Sequence, residues 1–369
     1  MASLKYDKKQ IRVDYFAIFN IATSPGVVNK IEQTVNAFDA NKFVTNKFII
    51  SSRGYKNIKS FFIKLFLSTA DSIIIRNTFL MPFLFPILII KRLQGKEIII
   101  DIPTPNTTGL HELRMSALSP LVTAVRMGVL AISFPWALFP ASRVLQYAHE
   151  SAYFSFGIRR KSQLIANGVD VASIPLRTTT PRWPTENFVM VAAASLAHWH
   201  AFDRVIKGMA NYLQSSSMQQ KINIKLIIVG DGECRQSWEN LAEELGIGHC
   251  VEFVGFQTGQ ALTAFFNQAH VAIASLGLFR KGLDMASDLK SREYTARGLP
   301  FIAAGEDIDF DPVPSFVFKV ENTDMPIDMG SVIDWYDDIS KNRSMTVNIR
   351  QYAKDKLDYS KKIKQMLDL

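Results

Sequence analysis

Apolar residues along this chain gather in short runs that alternate with longer stretches of helical spacing. Residues 10–20 (QIRVDYFAIFN) are apolar and aromatic enough for a strand. They pass through Ser24, Pro25 and Gly26 into 27–38, where the apolar spacing suits a helix. Runs rich in β-branched residues follow at 47–51, 72–75 and 97–102, separated by helix-compatible stretches that include 79–94. Residues 163–166, followed by Asn167, Gly168 and Asp170, read as a last strand ending in a tight turn. Such alternation predicts a parallel sheet with helices on both faces.

Residues 175–186 (PLRTTTPRWPTE) concentrate proline and threonine, have no periodic apolar face, and are the expected linker. The alternation then restarts, with strands at 188–194, 222–229, 251–254, 271–274 and 301–304 and helices at 205–215, 238–245, 260–269 and 289–297. The pattern predicts an α/β protein of two doubly wound parallel-sheet domains, 1–180 and 181–350, and a helical segment 351–369 that packs back on the first.

With 369 residues, 48% of them hydrophobic, the chain exceeds one ordinary core and can bury enough apolar surface to exclude disorder over most of its length. Its two cysteines, Cys234 and Cys250, have no paired spacing, which excludes a disulfide framework or a cysteine-built zinc site and suits a reducing, cytoplasmic setting. The lysine-rich first dozen residues do not read as a secretory leader. The longest apolar run, 79–90 (FLMPFLFPILII), has twelve residues and two prolines, and a second at 128–141 is also broken by proline. A spanning helix needs roughly twenty apolar residues. Surface contact on the inner face of the cell membrane is therefore expected before insertion, with core packing of both runs as the plainer alternative.

The net charge of +8 is uneven: residues 1–180 hold 22 Lys plus Arg against 10 Asp plus Glu. A basic first half attracts anionic lipid or a phosphorylated substrate. Nucleic acid is disfavoured because no basic helix, zinc finger or aromatic RNA-binding signature accompanies the charge.

In open parallel sheets ligands bind beyond the carboxyl ends of the strands, which narrows the search to loops that follow strands. The first is Gly230-Asp231-Gly232-Glu233, where glycines permit close backbone approach and carboxylates can accept from sugar hydroxyls; a glycine turn with solvated carboxylates is the alternative. The second runs from Ser287 to Pro300. Ser287 reads as an N-cap, placing the amides near Asp288, Leu289 and Lys290 at a helix N-terminus suited to phosphate. Lys290 adds a point charge, and Glu293, nearly one turn on, can hold the two hydroxyls of a ribose; surface pairing among Lys290, Arg292 and Glu293 is the alternative. The third, Ser195 to Arg204, offers His200 as a phosphate donor and Asp203 as a helix cap. His198 and His200 lack a third ligand of recognisable spacing, and the acidic alternation Asp307, Asp309, Asp311 follows the last expected strand as a solvated loop, so no metal is expected. No GxSxG elbow, HExxH, Walker loop or GxGxxG occurs, so no dinucleotide or other cofactor is expected either.

With these residues in hand, the second half resembles the retaining GT-B glycosyltransferases of family 4. The likeness runs from 188 to 307: a strand and turn ending in His-Ala-Phe-Asp203, then IVGDGE, then VEFVG at 251–255, then a helix leading to GLPFIAAG. The first half agrees through the glycine turn at Gly26, DIPTP at 101–105 and IANGVD at 165–170. The resemblance implies two Rossmann-like domains facing across a cleft, a nucleotide-diphosphate sugar held by the second, and a lipid-linked or oligosaccharide acceptor on the first beside Gly26, Asp101 and Thr104. It also implies a role in surface polysaccharide synthesis. Of the family's two glutamates separated by seven residues, the second matches Glu293 and the first falls on Met285; the family's diphosphate-binding arginine and lysine fall on Ser195 and His200. Lys290, His200 and the helix amides are then expected to share the diphosphate. Two other readings remain: a sugar-nucleotide epimerase on the same fold, and a non-catalytic partner of a glycosylation complex.

Overall fold

A computed structural model describes residues 10–21, 25–52, 54–103, 105, 108, 119–148, 158–215 and 222–368. The chain divides into two compact units, 1–166 together with 359–369, and 167–358.

In the first unit, β1 (Arg12–Phe19), α1 (Pro25–Ala40), β2 (Val44–Ser51), α2 (Tyr55–Leu67), β3 (Ser72–Arg76), α3 (Met81–Leu93), β4 (Glu97–Ile102), α4 (Pro120–Ala137), β5 (Arg143–Gln146) and β6 (Ser162–Leu164) build a parallel sheet of order β2-β1-β3-β4-β5-β6. Period-two geometry explains the isoleucine runs. Ile73, Ile75, Ile98 and Ile100 face one layer, which holds Phe61 and Leu65 of α2 and Leu84 and Leu88 of α3. Ile74 and Ile99 face the other, with Ile31 and Phe38 of α1. Both faces are covered, so the strands need no polar alternation. The greasy run at 79–90 splits accordingly: Met81, Leu84 and Leu88 are buried, whereas Phe79, Phe83 and Ile90 are exposed.

The second unit carries β7 (Asn187–Ala193), α5 (Asp203–Gln214), β8 (Asn223–Val229), α6 (Arg235–Glu244), β9 (Val251–Gly255), α7 (Gly259–Gln268), β10 (Val271–Ile273), α8 (Leu289–Arg297), β11 (Phe301–Ala304), β12 (Val317–Val320), α9 (Met329–Ser340) and α10 (Met345–Tyr352). Its parallel sheet has the order β12-β11-β10-β7-β8-β9, the doubly wound arrangement in which the direction of winding reverses between β7 and β10.

The expected linker belongs to this unit. Arg177 donates its amide to Arg297 (3.0 Å) and a guanidinium N–H to the carbonyl of Ala269 (3.2 Å). Trp183 packs edge-on to Phe188 and Tyr336 and donates to Asp337 (2.9 Å). Arg350 reaches the carbonyls of Val171 and Ile174, both at 2.6 Å. These long-range anchors leave no mark in local periodicity, so the division falls after Ala166, and residues 351–358 also stay with the second unit. The last helix, α11 (Tyr359–Leu367), joins the first unit, burying Ile363, Met366 and Leu367 in the layer that contains α1.

Candidate functional site

The reversal between β7 and β10 leaves the loops that follow them side by side, and Leu276 donates its amide to the carbonyl of His200 at 3.1 Å. Ser275, two residues beyond β10, is the hub. Its hydroxyl contacts His200 Nδ1 at 3.0 Å and accepts from the Lys290 ammonium at 3.1 Å, and its amide donates to Asp288 at 3.0 Å. Asp288, not Ser287, is the N-cap of α8: its carboxylate accepts from the Lys290 amide at 3.2 Å and lies 3.4 Å from the Lys290 ammonium. Ser287 instead binds Asn167, accepting from its amide on Oγ and from its side chain on the carbonyl, both at 2.6 Å. The charged cap prevails because it is met by two backbone N–H groups and an ammonium. The Lys290 amide is thus spent on the cap, contrary to the expected run of amides open to phosphate.

The charges follow from burial. Asp288 is driven up by desolvation, but the Lys290 charge, then the Ser275 N–H, outweigh it and bring the carboxyl down to about 2. His200, 7% exposed, is pushed down to about 2 by burial first and then by Lys290, with Lys281 adding to the effect. His200 is therefore a neutral imidazole, which keeps a ring N–H to donate but brings no positive charge. With Lys290 donating to Ser275 Oγ, the hydroxyl keeps a proton it can donate to His200 Nδ1, an arrangement that places the ring proton on Nε2.

Lys281 lies 4.0 Å over the Trp199 ring. It sits on a turn, Leu278–Lys281, held by Arg280, which clasps both carboxylate oxygens of Asp203 at 2.9 and 2.8 Å and reaches the His198 carbonyl at 2.8 Å. Asp203 accordingly opens α5 as an ion-pair partner; its side chain makes no cap bond. Gly277 packs so closely on Trp199 and Ala201 that a Cβ would meet Ala201 Cβ at 2.8 Å. Ala201 itself holds the left-handed conformation (φ 52°), a local strain at the end of the His198–His200 turn.

The other expected donor residues divide. Gly230 (φ +134°) and Gly232 serve loop packing: a Cβ at 230 would meet the Ala194 carbonyl oxygen at 1.8 Å, and one at 232 would meet Leu196 backbone at 2.6 Å. Asp231 is exposed and caps its own turn through Gly232 N–H at 2.8 Å. Leu289 is 41% exposed. Glu293, half-buried, pairs with Arg297 at 2.8 Å, and Arg297 stacks on Phe266 of α7. Arg292 is no surface residue: fully buried, it binds Asp307 and Asp309 and donates to the Asn167 carbonyl. The acidic alternation is thus neither solvated nor open to a metal at those two carboxylates.

In the first unit, Asp101 is completely buried, accepts from Tyr15 at 2.5 Å and lies 3.7 Å from Arg76. Burial raises its carboxyl, but Lys30, Arg76 and hydrogen bonds from Tyr15 and Tyr147 bring it below the usual range. It braces the carboxyl edge of the sheet from inside and presents no surface for direct contact with a ligand. Gly26 is exposed near the start of α1, with nothing within 4 Å of a Cβ, and Thr104 lies outside the described residues.

Sequence reading missed Ser275, Lys281 and the exposed Phe256 that follows β9. Ser275 carried a usable signal, since it lies just past a strand at the point where the sheet reverses. The loop after β10 and the helix it leads into thus bring two lysines to a neutral histidine from the loop after β7, at the carboxyl edge, an arrangement suited to a phosphorylated ligand.

Residues 179–282 match the family model described as glycosyl transferases group 1. No curated protein matches the sequence. Among solved structures, the Anabaena protein HepE, in complex with UDP, is 15% identical over 96% of this chain and 99% of its own (TM-score 0.63). The apo lipopolysaccharide outer core galactosyltransferase WaaB is 14% identical over 97% and 99% (0.61), and the trehalose-6-phosphate synthase OtsA 10% over 98% and 99% (0.59). The fold is GT-B, with a glycosyltransferase group 1 segment in its second unit.

Proposed function

We propose that this chain, a glycosyltransferase by its group 1 segment and GT-B fold, moves a sugar from a nucleotide-diphosphate donor to a lipid-linked or oligosaccharide acceptor in surface polysaccharide synthesis. Transfer proceeds with retention and without a metal. The observation that carries the reading is the convergence of Lys290 and Lys281 on the neutral His200 at the sheet reversal. Negative charge grows on the departing diphosphate as the glycosidic bond breaks, and preorganised cations there lower the barrier; one such donor is worth about 3 kcal/mol. Glu293, on the same face of α8 as Lys290, is the hydroxyl acceptor for the nucleotide's ribose. The UDP bound to HepE makes uridine diphosphate sugars the first donors to try.

The acceptor side rests on α2, α3 and α4, which contain no Asp or Glu. They and the residues that flank them expose Tyr55, Phe66, Phe83, Leu93, Leu121 and Trp136, with Lys56, Lys59, Lys64 and Arg92 also exposed. Apolar side chains among unopposed cations suit an anionic membrane surface. Among the described residues, no helix is long and apolar enough to cross a membrane.

A thermal-shift screen of the purified chain against nucleoside diphosphates and their sugar conjugates tests the donor reading. Stabilisation by a diphosphate or its conjugate is expected, and none across the panel refutes it. Product formed from donor alone would make the chain an epimerase.

A further inference from the structure

A cavity of about 180 Å³ opens at the carboxyl ends of β10 and β11, and Ser275 and Asp288 form part of its wall. Carboxylates also reach it from Glu306, Asp307 and Asp311. Asp307 is spent on Arg292 and Asp288 on Ser275 and Lys290. Glu306 is different. Gly305 turns in the left-handed region (φ +74°), and a Cβ there would meet the Asp284 carbonyl oxygen at 2.8 Å, so the chain is drawn against the loop that leads into α8. Glu306 then donates its amide to Asp284 (2.7 Å) and accepts from Ala286 (3.0 Å), forming a parallel bridge with Met285. Its backbone is thereby held, while its exposed side chain has no ion pair or hydrogen bond among the described residues. Met285, buried at the same bridge, offers no polar group.

We propose that Glu306 is the specificity-determining carboxylate that binds hydroxyls of the transferred sugar, in a pocket adjoining the Ser275, Asp288 and Lys290 cluster. A carboxylate accepts from two hydroxyls at once, and the bridge sets it one strand-width from the apolar position 285. The proposal rests on the donor-site reading above.

The test is calorimetric titration of the full chain with UDP, GDP and ADP and with UDP-glucose, UDP-galactose, GDP-mannose and ADP-glucose. Glu306→Gln is compared with Asp311→Asn, a change at another carboxylate of the same cavity. Both side chains are exposed, and thermal unfolding confirms folding. Glu306→Gln is expected to weaken binding of the preferred conjugate roughly 10- to 100-fold, the value of a charge-assisted hydrogen bond, and to leave the free diphosphate within about twofold. Unchanged conjugate binding, equal weakening of the free diphosphate, or the same loss from Asp311→Asn overturns the assignment while the donor site stands. A wild-type chain that binds the diphosphate but gains nothing from any sugar overturns it too. A wild-type chain that binds neither class overturns the donor reading and this inference with it.

Discussion

Lys290→Met removes the ammonium at the centre of the candidate site and keeps the apolar stem. A hydrogen bond to a charged group contributes about 1.5–3 kcal/mol, which at 1.4 kcal/mol per decade is roughly a 10- to 150-fold loss of affinity for a nucleoside diphosphate. The surroundings push the result toward the upper end. Asp288 owes its low pKa of about 2 chiefly to the Lys290 charge and is half-buried, so in the variant a carboxylate without its ion-pair partner faces the incoming phosphates. His200, relieved of its second-largest depressing influence, titrates at higher pH, although burial still holds it below the ordinary imidazole value. Adding Asp288→Asn, which can still cap α8, removes the repulsion and is expected to recover part of the loss. Turnover is expected to fall about 100- to 1,000-fold, because the ammonium also meets charge that develops only as the leaving group departs. Calorimetric titration with UDP and initial rates with a bound sugar nucleotide supply the measurements. A folded Lys290→Met protein with wild-type affinity and turnover refutes the reasoning.

Three further outcomes follow from other parts of the molecule. Burial pushes His270 down to about 4, against about 6.5 in the unfolded chain, with Arg177 adding to the effect; its neutral form is favoured by folding. That stabilisation, about 3 kcal/mol, is complete above pH ~6.5 and lost as pH falls toward 4; urea unfolding at several pH values should show a steeper acid decline than His270→Asn does, and parallel curves would refute it. Gly230→Ala drives a Cβ into the Ala194 carbonyl and should cost more than about 2 kcal/mol in denaturant midpoints; near-wild-type stability would show that the loop yields easily. In vesicle flotation the chain should bind anionic but not neutral liposomes, less so as salt rises, and Phe66→Ser with Phe83→Ser should weaken it; equal binding to both lipids, or none, counts against the membrane reading.

Most of the alternation was legible because strands buried on both faces are spelled in consecutive β-branched residues, as at 72–75 and 97–102. The missed strands are short: β5 has four residues, and β12, at the edge of its sheet, also has four. The misplaced boundary has another cause. Residues 175–186 look like a linker locally, yet Arg177 and Trp183 fasten that stretch to partners up to 154 positions away, and Arg350 holds the residues just before it. Arg292 illustrates the same limit. Beside Lys290 and Glu293 it reads as one more surface charge, and only the fold shows it buried between Asp307 and Asp309.

The proposed donor residues follow a similar logic. A diphosphate requires positive charge at a place in space, and the sheet reversal makes two loops equally able to supply it. In this chain the loop after β7 contributes Ser195, exposed, and His200, buried and neutral, neither of which is a cation. The loop after β10 contributes Lys281, and the helix it leads into contributes Lys290; both lie close enough to His200 to depress its pKa. His200 and Ser275 then act as the spacer that joins the loops, through the Nδ1 to Oγ contact and the Leu276 amide. A motif search along the loop after β7 finds no lysine or arginine, the two lysines lie on the other side of the reversal, and the left-handed Ala201 ends the His198–His200 turn where the two loops meet.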